Sequence, residues 1–476
     1  MLSSIIMNNS NIISDNDSNN DSNNDLNNND LNNNDSNNND SNNNDSNNND
    51  SNNNLTNNSN KKNTSLKEFS LLSYEITKSL DITEKKNNGI YFTPQCIINE
   101  CFDFLNDFYT KNNISIENIL EPCCGSCEFI NKLNIEFNNK NIIGIENNYY
   151  IYSKIKHISS TNNNITLLNK SFFSYNEDKK FDLIIGNPPF YVILKNNILK
   201  KYHNFFDGRP NIFILFIIES LKKLNTNGIL CFVLPKNFLN CIYYDKLRKY
   251  IYQKFTILNI INCKHNKYID TQQETIILLI QNNNNLKKNS DFILNIQKYK
   301  IMNSSSNISY LNNLLQKSTN LYLLNFGVKV GTITWNENKN ILTDDKEKTL
   351  LIYNGHIKDN KLNITPFKNN AKKNFINKKG SDEMILVINR GYGKGNYSFN
   401  YCIIEGTKEY LIENHLIIIY HKSITNKDKL KKLYENIINS FNDERTKEFV
   451  KIYFGNNAIN TNELLYILPI YISNNT

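Results

Sequence analysis

Polar and apolar positions divide the chain into a stretch without pattern and a strongly patterned body. From Asn8 to Asn60 nearly every residue is Asn, Ser or Asp, and Asp-Ser-Asn-Asn-Asn repeats from Asp35 to Asn54. Such a segment has almost nothing to bury and cannot offset the entropy of ordering, so residues 1–65 are expected to form a disordered tail. Apolar residues with helical spacing begin at Leu66–Leu80. They recur over Cys96–Tyr109, where Ile97, Ile98, Cys101, Phe102, Leu105 and Phe108 share one side. Short, unbroken, branched-rich runs then follow at Ile116–Leu120, Ile142–Ile145, Thr166–Leu168, Phe181–Ile185 and Ile229–Leu234. Runs of this kind suit strands covered on both faces. Helical patterns at Glu128–Phe137, Tyr149–Ser159 and Asn211–Leu224 separate them. Alternation of this kind predicts an α/β fold over residues 66–285, with a doubly wound, mostly parallel, Rossmann-like sheet. The polar run Asn282–Asn289 and the Ser/Asn-rich Met302–Asn312 place a linker at 286–320. Beyond Leu321 the alternation is less regular, and residues 321–476 read as a second domain of α+β type.

Charge sharpens this division. The 476 residues carry a net +8, but residues 1–60 hold nine Asp and no Glu, Lys or Arg, so removing them leaves +17 on the rest. A basic body with an acidic tail suits a polyanionic partner, although a codon bias toward Asn, Lys, Ile and Tyr gives the same balance. No apolar run reaches the ~18 residues of a membrane span. The first seven residues have no basic region before their short apolar run and make a poor signal peptide. Nine Cys without framework spacing argue for reduced thiols. The expectation is a soluble intracellular monomer that is neither secreted nor bound to a membrane.

Three segments carry candidate chemistry. In Phe181-Asp-Leu-Ile-Ile-Gly-Asn187-Pro188-Pro189-Phe190, a buried strand turns at once into Asn-Pro-Pro-aromatic. The prolines fix φ and remove donors, so carbonyls are held as free acceptors. Asn187 adds a side-chain acceptor and Phe190 a flat face, a set that suits a planar substrate bearing an amine. An ordinary Asn-Pro-Pro turn is the bland alternative. Glu121-Pro122-Cys123-Cys-Gly125-Ser-Cys127 is a small-residue loop between strand and helix, where a doubly wound sheet binds its cofactor. Cys124-x-x-Cys127 could instead be half a metal site or a redox pair, but no second pair completes it, and no metal is expected. Glu146, just past the second strand, can accept from both hydroxyls of a ribose.

Together these residues resemble adenine-specific DNA methyltransferases of the gamma, TaqI-like arrangement, over roughly Leu66 to Ile280 and more weakly over Trp335 to Pro469. The resemblance implies a class I methyltransferase fold, S-adenosylmethionine as cofactor, double-stranded DNA as partner, base flipping, and a C-terminal target-recognition domain. It implies cofactor contacts from Tyr91, Thr93, Pro94, Glu121, Pro122, Cys123, Gly125, Glu146, Ser171, Phe172 and Asn187. Asn187, Pro188, Pro189 and Phe190 would carry the reaction, and Phe190 and Tyr244 would stack the target base. Trp335, Lys339, Arg390, Tyr392 and Lys394 are the DNA-contact candidates, the last three on a Gly-rich basic loop that could equally be a solvated turn. Two departures stand out. Cys127 replaces the family's usual Gly, and Ser171-Phe172 replaces an Asp-aromatic pair. The same Asn-Pro-Pro-aromatic motif also serves enzymes that methylate RNA or a protein glutamine amide, and a catalytically silent DNA-binding relative is a further reading. No nuclease motif is evident.

Overall fold

The computed structural model describes residues 68–208, 210–263, 268–271, 273–283, 285–391, 397–454 and 459–472. The expected tail lies outside the described residues. Seven strands form the main sheet: β1 (Asn118–Glu121), β2 (Asn141–Glu146), β3 (Ile165–Asn169), β4 (Phe181–Gly186), β5 (Leu224–Pro235), β6 (Thr256–Asn262) and β7 (Thr275–Gln281). Their order is β3-β2-β1-β4-β5-β7-β6. β7 runs antiparallel to both of its neighbours, while the β1–β2, β2–β3, β1–β4 and β4–β5 pairs are parallel. This is the doubly wound, mostly parallel sheet that the strand runs predict. Leu183, Ile184 and Ile185 of β4 are completely buried, because helices cover both faces and no polar alternation is needed.

Helix Ile212–Lys223 shows how thoroughly the sheet is covered. Ile212 to Ile218 are all buried. Asn211 caps its start by accepting from Phe213 N, and Lys222 and Lys223 sit in its last turn, where cations favour the helix dipole. Two short helices, Leu71–Ser79 and Ile82–Asn88, and the longer Gln95–Asn112 precede β1. The helical pattern over Tyr149–Ser159 resolves into two pieces, Tyr149–Ile155 and His157–Thr161.

The stretch expected to be a linker is folded. Strands Ile293–Ile296 and Tyr299–Met302 form an antiparallel hairpin, followed by helix Ser305–Leu315. Ile293 and Met302 pack into the core under the main sheet, whereas Leu294, Ile296, Tyr299 and Ile301 pack into the C-terminal core. In the Ser/Asn-rich helix the apolar stripe is Ile308, Leu311 and Leu314. Polar composition concealed it, because three residues at helical spacing suffice to anchor so short a helix. The C-terminal body is of α+β type. It contains an antiparallel sheet of Phe326–Val330, Leu416–His421, Ile385–Asn389 and Tyr401–Ile404, a second smaller sheet, and helices Lys427–Asn442, Glu444–Tyr453 and Thr461–Tyr466.

Arg248 knots the two bodies together. Its side chain is completely buried and donates to the carbonyls of Phe238 (2.9 Å), Cys241 (2.7 Å) and Lys300 (2.6 Å). Asp245 accepts from Lys300 N at 2.8 Å, and Asn240 donates to the Tyr453 carbonyl. A buried cation is tolerable only when its donors are matched in this way. Arg248→Ala strands those carbonyls, so the unfolding free energy should fall by about 3 kcal/mol or more. Urea unfolding measures it. Arg248→Lys should recover only part, because an ammonium cannot reproduce the planar fork.

Candidate active site

The strand order reverses between β1 and β4, and a cleft of about 200 Å³ opens at their carboxyl ends. This is the crevice where open α/β sheets bind ligands. Its floor is the loop after β1. Gly125 (φ +50°) and Cys127 (φ +63°) both take left-handed backbone. Such a conformation costs nothing extra at Gly but roughly 1–2 kcal/mol at another residue. The departure at Cys127 is therefore a strained position, held because its side chain is wholly buried and its backbone N donates to the Cys124 carbonyl at 2.7 Å. Cys124 N in turn donates to the Ile145 carbonyl at 2.8 Å, tying the loop to β2. No group of side chains able to hold a metal occurs among the described residues.

Glu146 ends β2 inside the cleft. It accepts from Gly125 N (2.9 Å) and Asn148 N (2.7 Å). Burial raises its pKa from 4.5 to about 7, against the opposing pull of the amides of Asn148, Gly125 and Asn147. Glu121 ends β1, is 2% exposed, and keeps one oxygen, Oε2, buried without a partner. Burial and the nearby Cys127 and Glu146 hold its pKa well above the usual carboxylate range. The donor set fits S-adenosylmethionine. Glu146 would take the ribose hydroxyls, the orphaned oxygen of Glu121 faces a cleft suited to a cationic amino acid, and Phe173, T-shaped against Phe216 at 4.9 Å, walls the cleft beside Ser171 and Phe172.

Asn187 follows β4 directly. Its side-chain nitrogen donates to Thr93 Oγ1 (3.0 Å) and to the Tyr91 carbonyl (3.4 Å). Turning the amide over would set oxygen against a carbonyl, so the orientation is fixed. Its oxygen, Oδ1, is buried and has no partner. The amide is thus presented as an acceptor, and Tyr91 and Thr93 orient it as well as lining the cleft. Gly89 explains how that segment comes so close. At φ +63° a Cβ there would stand 2.6 Å from Phe190 N and 3.0 Å from Pro189 Cβ. Pro188 is buried, while Pro189 and Phe190 are half-buried. Pro122 and Cys123 line the cleft. Pro94 instead starts helix Gln95–Asn112, its carbonyl accepting from Ile97 N and Ile98 N.

Tyr244 is not brought to the site. It is 6% exposed and packs against Phe213 (5.2 Å) and Phe238 (6.2 Å), behind Phe190, which itself meets Phe213 edge-on at 5.9 Å. Burial in that aromatic cluster explains the difference, since the chain after Leu239 turns inward to the core. Tyr268, itself 7% exposed, shares a cavity with Phe190. With Tyr91, Thr271, Gln273 and Thr275 these two rings line this second cavity, of about 140 Å³. Tyr268 precedes β7 with no motif around it, and only its tyrosine type signalled it. Three polar contacts also escape the sequence. Ser73 Oγ lies 2.8 Å from Ser126 Oγ and donates to Glu128 at 2.5 Å, while Lys85, buried, pairs with Asp270 at 2.5 Å. They pin the first helices onto the cofactor loop and onto the segment bearing Tyr268.

In the C-terminal body, Trp335 is half-buried beside Ile333, Leu351 and Tyr353, and the amines of Lys339 and Lys372 lie 5.4 and 5.5 Å from its ring. Arg390 follows strand Ile385–Asn389, on another sheet, with its carbonyl accepting from Ile459 N. Tyr392 and Lys394 lie outside the described residues.

Residues 126–269 match the family model described as Eco57I restriction-modification methylase. The chain contains a methylase domain of this type. The match begins in the loop after β1 and ends just past Tyr268. The chain is also similar to the Type II methyltransferase M.CvrRI of Paramecium bursaria Chlorella virus XZ-6E, at 28% identity over 84% of this chain and 98% of the relative. It is similar to the modification methylase CviBIII of Paramecium bursaria Chlorella virus NC1A, at 24% identity over 83% and 97%. Among solved structures, a putative class I S-adenosylmethionine-dependent methyltransferase from Listeria monocytogenes aligns with 45% of this chain and 66% of its own, at TM-score 0.36 and 16% identity. The methylase fold rests on the strand order itself.

With Glu146 on the ribose hydroxyls, cofactor binding would depend on pH. Below about 7 the buried carboxyl carries a proton and accepts hydrogen bonds poorly. Affinity for S-adenosylmethionine should therefore rise between pH 6 and 8, by up to about tenfold per unit below the pKa. The apo fold responds oppositely. The raised pKa means stability is greatest below the ordinary value and is lost as pH rises through about 7. Calorimetry on the protein and on Glu146→Gln checks this. The variant should bind weakly and lose most of the slope.

Proposed function

We propose that this chain transfers a methyl group from S-adenosylmethionine to the exocyclic amine of adenine in double-stranded DNA, taking the base out of the stack to reach it. The observation that carries the reading is the orphaned oxygen of Asn187, buried and fixed toward the site by Tyr91 and Thr93. An aromatic amine is a poor nucleophile because its lone pair is shared with the ring. Accepting its hydrogens at Asn187 Oδ1 and at the Pro188 carbonyl draws that nitrogen toward tetrahedral geometry and returns the lone pair to it. The same acceptors stabilise the positive charge that develops there. The cofactor supplies a methyl group already activated by its sulfonium. The chain positions the two reactants for in-line attack, and the proton can leave to water afterwards, so no side-chain base is required.

Inside a duplex the amine is paired, and reaching a cleft this deep requires extrusion. Phe190 offers one face to the base. In this reading Tyr268, which lines the second cavity with Phe190, is a candidate for the other face in place of the buried Tyr244. DNA rather than RNA or a protein amide is supported by the +17 body and by the relatives. A match over 84% of the chain necessarily runs into the C-terminal body, and the matched proteins are a Type II methyltransferase and a modification methylase. In this reading that body places the duplex, with Trp335, Lys339 and Arg390 as contacts and the basic loop carrying Tyr392 and Lys394 as a fourth.

Asn187→Ala should abolish methyl transfer and leave cofactor affinity nearly unchanged. A residual rate above about a tenth of wild type, under ~1.4 kcal/mol of barrier, would remove Asn187 from its role. Filter-binding of methyl-labelled DNA and calorimetry read the two quantities separately.

A further inference from the structure

Just past Phe190 the chain reads Tyr191-Val192-Ile193-Leu194-Lys195-Asn196. Its backbone is fixed by pairing. Ile193 N donates to the Pro210 carbonyl at 2.8 Å, Ile212 N donates to the Tyr191 carbonyl at 2.9 Å, and Val192 forms an antiparallel bridge with Asn211. In extended chain, successive side chains turn to opposite faces. Ile193 therefore points into the core, 6% exposed, while Val192 and Leu194 point out, 47% and 59% exposed. Lys195, Asn196, Lys200 and Lys201, the residues that follow closely in sequence, are exposed as well.

A single exposed aliphatic residue means little. Here two share one face, beginning two residues after the ring that would receive the base, and three exposed lysines follow close in sequence. The pairing to Pro210–Ile212 also leads directly into helix Ile212–Lys223, whose first turn holds Phe213 against Phe190. The aliphatic pair and the base-receiving ring therefore stand on one rigid piece of chain.

We propose that Val192 and Leu194 form a wedge that enters the stack of duplex DNA beside the extruded nucleotide. The proposal rests on the DNA methyltransferase reading and deepens it. Extrusion costs a few kcal/mol of stacking and pairing and leaves a gap walled by apolar base faces. Aliphatic side chains seated in that gap replace part of the lost contact, as the apolar wedges of DNA-bending proteins do. Lys195, Lys200 and Lys201 meet phosphates flanking the gap and set the depth of entry. The wedge acts on the equilibrium between stacked and extruded base, and leaves the methyl-transfer step itself untouched.

That separation defines the experiment. The double variant Val192→Ala/Leu194→Ala is compared with wild type on two duplexes. One contains the site that the wild-type protein methylates, located by sequencing plasmid DNA it has modified. The other is identical except for an abasic position opposite the target base, which removes the pairing that opposes extrusion. Melting temperature and cofactor affinity of the variant should equal those of wild type, since both side chains are solvent-facing. The rate on the paired duplex should fall by about tenfold or more, and on the abasic duplex stay within about threefold of wild type. With 2-aminopurine at the target position, the fluorescence rise on binding should be weaker for the variant on the paired duplex. An unchanged rate on the paired duplex, or an equal loss on both, overturns the wedge. If the wild-type protein modifies no DNA, the methyltransferase reading fails first and takes the wedge with it.

Discussion

The site depends on one hydrogen-bonding choice. The amide nitrogen of Asn187 is taken by Tyr91 and Thr93, and its oxygen is left buried with no partner. Leaving such an acceptor unsatisfied costs about 1–3 kcal/mol of stability. Other buried oxygens in this chain also lack a partner, those of Asn237 and Asn262 among them; Asn187 is set apart because its side chain lines the cleft directly after β4. Here the cost is maintained by geometry. β4 ends immediately before Asn187, Pro188 and Pro189 stiffen the turn after it, and the absence of a side chain at Gly89 lets the Tyr91–Thr93 segment close over it.

Much of the remaining structure holds that closure in place. The helices before β1 are pinned by Ser73, Ser126 and Glu128 at the cofactor loop and by Lys85 and Asp270 near Tyr268. The clamp thereby ties together the cofactor cleft, the acceptor and the second cavity. On the other side, Arg248 binds the loop after β5 to the hairpin and so to the C-terminal body. The C-terminal body is thereby hydrogen-bonded to the elements that follow β5, so that a duplex held by that body, as proposed, would be aligned with the cleft.

Features with local causes were the ones legible in the sequence. Strands covered on both faces appear as unbroken apolar runs, so the sheet could be read. Asn-Pro-Pro-Phe was legible because its chemistry is contained in four residues. That Tyr244 packs against Phe213 and Phe238 and does not line the cavity beside Phe190 was not legible, because its position is set by side-chain packing in the folded core. The hairpin at 293–302 was read as linker because each four-residue strand divides its apolar residues between two cores. Cys127 was visible as a departure from pattern, but its left-handed backbone, the reason a glycine suits that place, is a property of the folded loop.

Whether the free oxygen of Asn187 accepts the amine of an adenine can be read from the product. The protein is incubated with double-stranded DNA and cofactor carrying a labelled methyl group. The DNA is then digested to nucleosides, and the labelled species is identified by mass spectrometry. The expected result is label on the exocyclic nitrogen of adenine, and none when Asn187 is replaced by Ala. Label on cytosine, or DNA left unlabelled while RNA or protein amide is modified, would contradict that role.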